Sequence, residues 1–101
     1  KETRRLDFTF GVEYGTDYAK VKGVLEELLA KDERILQEPA APFIAMSQLA
    51  DSSVNYVVRV WVNSPDYWNV YYDITRIVYE RFNAEGIGFP FPQLTIHQAK
   101  D

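Results

Sequence analysis

The stretch from Leu49 to Trp68, LADSSVNYVVRVWVNSPDYW, constrains this chain more than any other. Its middle places Val54, Tyr56, Val58, Val60 and Val62 on one phase. That alternation is what a strand with one buried face requires. The opposite phase carries Asn55, Val57, Arg59, Trp61 and Asn63, so the second face is not simply a solvated one. Ser64-Pro65-Asp66 then supplies an N-cap residue, a proline at the first helical position and an acid in the first turn. Strand therefore passes directly into helix, and the other segments can be placed around this pair.

Upstream, Leu6, Phe8, Phe10, Val12 and Tyr14 alternate with Asp7, Thr9, Gly11 and Glu13, which predicts a strand that is apolar on one face. Thr16 or Asp17 offers an N-cap for the segment that follows. There Val21, Val24, Leu25, Leu28 and Leu29 keep the spacing of an amphipathic helix. Gly23 falls off that stripe, as expected of a surface position. The connector after this helix ends in Pro39-Ala40-Ala41-Pro42, which cannot continue a helix. Phe43–Leu49 reads as a second strand, closed onto the central one by a turn at Asp51-Ser52-Ser53. After Pro65 a second helix is expected to bury Trp68, Tyr71, Ile74, Val78 and Phe82 and to end at Gly86. Phe89–His97 reads as a last strand with Pro90 and Pro92 at its start.

The order strand, helix, strand, strand, helix, strand predicts an α+β fold of the ferredoxin-like, βαββαβ kind. Its four-stranded antiparallel sheet carries both helices on one face. The first and third strands would be central. Pro42, Pro90 and Pro92 then fall only at the two edge strands, where a missing N–H costs least. With 101 residues, one such domain accounts for positions 1–101.

Composition decides which functions to set aside. A chain with no cysteine and a single histidine, His97, has no thiolate chemistry and no metal-ligand cluster. No glycine-flanked nucleophile turn accompanies Ser52 or Ser53, and Gly86-Ile87-Gly88 follows a helix instead of opening one. The expectation is a protein that is not an enzyme, with no catalytic residues, cofactor or metal. A net charge of −4 with scattered Lys and Arg argues against nucleic acid as a partner. The open face of the first strand, with Asp7, Thr9 and Glu13, lacks the stacking aromatics of an RNA-binding sheet. No apolar run approaches the roughly 18 residues that cross a bilayer.

A family resemblance is carried by Phe10-Gly11-Val12 with Tyr14 and Asp17, by Val21-Lys22, and by Pro39 and Pro42. Its most specific portion is Leu49-Ala50-Asp51-Ser52-Ser53-Val54 followed by Arg59, Trp61 and Tyr67-Trp68. Gly86-Ile87, Pro90-Phe91-Pro92-Gln93 and Ile96-His97 complete it. In this order the chain resembles the C-terminal cytoplasmic α/β domain of the small-conductance mechanosensitive channel (MscS) family. Departures fall at Gly88-Phe89 and Leu94.

The resemblance implies a fragment of a larger inner-membrane protein whose membrane helices and middle β domain lie outside this chain. It implies a homo-heptamer of identical subunits that opens under membrane tension in osmotic downshock. This domain would stand on the cytoplasmic side, as a wall element of a vestibule through which ions and small osmolytes pass. Membrane contact would come only through the absent segments. On that reading Arg59 and Trp61 are the expected subunit or domain interface, with Trp61 as its apolar anchor. The competing reading lays Trp61 over Val57 and pairs Arg59 with Asp7 or Glu13 across the strands. Pro90, Phe91 and Pro92 form a second expected interface, leading towards the family's C-terminal barrel. The alternative function is a stand-alone ligand-sensing or oligomerisation module of the same fold.

Overall fold

The structure is a computed structural model that describes residues 2–90. Its elements run β1 (Thr3–Val12), α1 (Tyr18–Ala30), β2 (Phe43–Leu49), β3 (Val54–Asn63), a 3-10 turn (Ser64–Asp66) and α2 (Tyr67–Ala84). The described sheet has three antiparallel strands in the order β1-β3-β2. The architecture is thus mixed α+β, with two helices over one sheet face.

The alternating phase of β3 places the core. Val54, Tyr56, Val58, Val60 and Val62 are all buried, as are Leu6, Phe8 and Val12 of the neighbouring β1. The apolar stripe of α1 covers them with Val21, Val24, Leu25, Leu28 and Leu29, and α2 adds Val70, Ile74, Val78 and Phe82. These side chains belong to one hydrophobic cluster. Burying each large aliphatic side chain contributes about 1.5–3 kcal/mol, so this layer dominates the stability of the fold.

Local chemistry sets the helix ends. Asp17 caps α1, its carboxylate accepting from the Lys20 N–H at 3.0 Å. At the far end of α2, Gly86 takes φ +76°. The Ile87 N–H donates to the Phe82 carbonyl at 2.8 Å and the Gly86 N–H to that of Asn83 at 3.3 Å. That pair of bonds is a Schellman ending, and it drops Ile87 into the core beside the helix.

Two expectations change. Ser64 does not cap α2. The 3-10 turn takes up Ser64–Asp66, moves the helix start to Tyr67, and leaves the Ser64 hydroxyl buried with no partner among the described residues. Trp68 is not on the buried face, because the stripe actually used runs through Val70, Ile74, Val78 and Phe82, and Trp68 lies well round the helix from it. In the described sheet β3 is central and β1 pairs with it on one side. The expected last strand, Phe89–His97, lies largely outside the described residues.

Candidate subunit interface

With one phase of β3 turned to the helices, Asn55, Val57, Arg59 and Trp61 stand on the opposite face of the sheet. The register sets Arg5, Asp7 and Thr9 of β1 across from Trp61, Arg59 and Val57. On the other side, Phe43 and Ala45 of β2 face Arg59 and Val57. The surface is therefore mixed. Trp61, Val57, Ala45 and a 48% exposed Phe43 supply apolar area, and Arg5, Asp7 and Arg59 supply charge.

Trp61 lies beyond the end of β2, where the connector after α1 takes over as its neighbour. The Leu36 N–H donates to the Trp61 carbonyl at 2.8 Å in an antiparallel bridge. Ile35 anchors that connector in the core. Arg34 clamps it from outside: its guanidinium holds Asp32 at 2.9 and 2.8 Å and reaches Asp73 of α2 at 3.1 Å. Hydrogen bonding from Arg34 keeps the Asp32 carboxyl below its usual range, and Asp32 in turn raises the pKa of Arg34. The residues across from Trp61 are thus Arg5 and Leu36, and Trp61 itself is partly buried.

Arg59 does not form the expected ion pair. Asp7 is its cross-strand neighbour, but both Asp7 carboxylate oxygens are held by Arg5, at 2.9 and 3.1 Å. Arg5 stands two positions away on the same strand face, so it reaches Asp7 without crossing the ladder. Glu13 is a further six residues along the strand, roughly 20 Å away. Arg59 instead places its guanidinium 5.6 Å from the centre of the Phe43 ring.

Pro90 is found at the opposite end of β1. The Glu13 N–H donates to the Gly88 carbonyl at 3.0 Å, and Phe89 stacks on Tyr79 and Phe82 with ring centroids 5.9 and 5.7 Å apart. A Cβ at Gly88 would meet the end of the Glu13 side chain, which would have to swing aside. Glu13 lies eight positions past Arg5, roughly 26 Å along the strand. Arg59 and Trp61 therefore share one patch and Pro90 belongs to another. Phe91 and Pro92 lie outside the described residues.

Sequence reasoning missed Leu36, Phe43 and Ala45 as members of the Trp61 face. For Phe43 and Ala45 a signal existed in their shared phase along β2, but both phases of that strand are apolar and neither stands out. For Leu36 there was none, because its place depends on the Arg34 clamp. Among the described residues no three His, Cys, Asp or Glu side chains converge as a metal site, and no helix is long and apolar enough to cross a membrane.

Comparison with known proteins fixes the family. Residues 6–89 match the model described as mechanosensitive ion channel MscS, C-terminal. The chain belongs to the MscS family. A small-conductance mechanosensitive channel of Edwardsiella ictaluri is 43% identical over 94 residues, covering 93% of this chain and 32% of that protein. An uncharacterized MscS family protein of Synechocystis sp. is 38% identical over 97 residues, covering 96% of this chain and 32% of its own length. The crystal structure of Helicobacter pylori MscS in the closed state superposes with a TM-score of 0.82 at 28% identity, over 90% of this chain and 36% of that one. This MscS-family chain thus spans about a third of the length of the relatives it matches. Those relatives named for an activity are channels, not enzymes.

Proposed function

We propose that this chain is the cytoplasmic vestibule domain of a mechanosensitive ion channel that opens under membrane tension in osmotic downshock. The observation that carries this reading is the match of residues 6–89 to the C-terminal part of MscS channels. The likeness to the closed Helicobacter pylori channel over 90% of the chain supports it. Positions 1–101 form one domain of a longer inner-membrane protein, and its membrane helices and middle β domain lie in the remaining two thirds. Identical subunits assemble as a homo-heptamer, with this domain walling the vestibule on the cytoplasmic side and ions and small osmolytes passing through. The domain contributes assembly contacts and no catalysis.

Two structural features give that role substance. First, the sheet face with Arg59 and Trp61 is apolar enough to pack on a neighbouring subunit or domain, Trp61 being its anchor. Second, the Gly88 carbonyl accepts from the Glu13 N–H just past the end of β1 and brings the chain beside that strand. A fourth strand running back along β1 from there would complete the ferredoxin-like βαββαβ sheet, and Pro90, Phe91 and Pro92 would form the second contact surface at its start.

The test is electrical. The full-length gene, expressed in cells lacking their own tension-gated channels, should give a stretch-activated conductance in membrane patches and should rescue survival of osmotic downshock. A coding sequence without membrane helices, or full-length protein in the membrane with no tension-activated current, would overturn the channel reading.

A further inference from the structure

The two helices, with the residues that end them, carry four oppositely charged pairs at a spacing of four, where such side chains meet. Three of them close. Lys31 holds Glu27 at 3.4 Å, Arg76 holds Glu80 at 3.2 Å and Arg81 holds Glu85 at 3.3 Å. The fourth is Lys22 with Glu26, and neither forms an ion pair among the described residues. Chain direction is not the cause, because Arg76–Glu80 and Arg81–Glu85 also place the basic residue first. Lys22 turns back along α1 instead, its ammonium 6.0 Å from the centre of the Tyr18 ring. That is the outer limit of a cation–π contact, so the ammonium stays available to a stronger partner.

The unclosed pair borders a cleft. It lies between α1 and the start of β2 and measures about 440 Å³, within the size range of small-molecule sites. Its floor is apolar. Ile44 pairs with Val58, whose phase faces the helices, yet α1 leaves Ile44 only half-buried. Leu29 and a half-buried Pro42 extend that floor, and the connector brings Gln37 to the same cleft.

Such a set of groups selects its ligand by charge. A simple anion drawn to Lys22 would be repelled by Glu26, and a simple cation would meet the reverse conflict. A zwitterion satisfies both side chains. Its carboxylate accepts from the Lys22 ammonium, while its own ammonium donates to the Glu26 carboxylate and the Gln37 side-chain oxygen. An aliphatic group on the same molecule then covers Leu29, Pro42 and Ile44 and takes their apolar surface out of water. We propose that this cleft binds a small aliphatic α-amino acid between Lys22 and Glu26. The site lies wholly within this domain and does not depend on the channel reading.

Saturation-transfer NMR on the full-length protein, with L-leucine as the probe, tests the proposal. The leucine methyl signals should show saturable transfer. Isocaproate lacks the ammonium and leucine methyl ester lacks the carboxylate, and each should bind about ten-fold more weakly, having lost a charge-assisted contact. Lys22→Gln and Glu26→Gln should weaken leucine binding to a similar extent. Lys20→Gln, on α1 but outside the cleft, should leave it unchanged. Glutamine is a good helix former, so all three variants should keep the parent's far-UV circular dichroism and unfolding midpoint. An absence of saturable transfer to leucine would overturn the proposal. So would equal binding of either analogue, or leucine binding that survives both cleft substitutions.

Discussion

Asp32 and Arg34 show how a few polar atoms position the Trp61 face. The Arg34 guanidinium binds Asp32 and Asp73 and so ties the connector that carries Leu36 to α2. Because Arg34 lowers the Asp32 pKa in the folded state, the pair contributes stability above the ordinary carboxylate value near 3.8. That contribution is lost as pH falls through the lower folded value. Unfolding midpoints measured between pH 6 and 2.5 should therefore drop at the acid end, and Asp32→Asn should flatten the drop; an unchanged slope would remove Asp32 from the account. Tyr56 tests a different term. Its ring is fully buried over the sheet and its hydroxyl finds no partner among the described residues. Tyr56→Phe should accordingly raise stability by about 1 kcal/mol in urea titrations, since it removes an unsatisfied buried group. At Gly86, with φ +76°, Gly86→Ala should cost about 1 kcal/mol by the same assay, because a Cβ is strained in that conformation.

At the scale of elements, β3 carries the sheet and α2 carries two unlike faces. β3 pairs on both sides and its inward phase is wholly buried, so Val58→Ala should cost roughly 2 kcal/mol, the range expected for a cavity opened in a packed core. β1 pairs with β3 on one side, and the proposed fourth strand would occupy the other. Hydrogen exchange then offers a direct check. The β1 amides that do not donate to β3 should exchange slowly if the strand is there, and at the rate of an exposed edge if it is not. For α2 the buried stripe was legible in outline, since Ile74, Val78 and Phe82 were anticipated. Trp68 shares a three-residue spacing with Tyr71 and Ile74, but the buried stripe continues from Ile74 to Val70, four residues back, and leaves Trp68 outside it.

Over the whole molecule, two apolar surfaces are left uncovered among the described residues. The Trp61 face and the start of α2, where Trp68 is exposed, lie on opposite sides of the sheet. In the full-length protein, Trp61→Ala should weaken subunit association by about 2 kcal/mol, the scale of an aromatic hot spot, visible as dissociation of the oligomer on size-exclusion chromatography. An unchanged elution profile together with unchanged gating would exclude Trp61 from the assembly contact.

Sequence alone determined the alternation of β3, the helix of Val21 to Leu29 with a cap at Thr16 or Asp17, the extent of β2 and the Gly86 stop. These follow from interactions a few residues apart, and local periodicity reports them faithfully. The family was legible for the same reason, since its wording sits at turns, caps and strand phases. Only the tertiary structure decided that Arg5 takes Asp7 from Arg59, that Leu36 flanks Trp61, and that Pro90 lies far from both. Each depends on which groups the folded chain brings together from a distance, and competition between partners leaves no periodic trace. The stretch from Leu49 to Trp68 joins the two cases: its inward phase was written in the sequence, while the surroundings of Trp61 and Trp68 came from the fold around them.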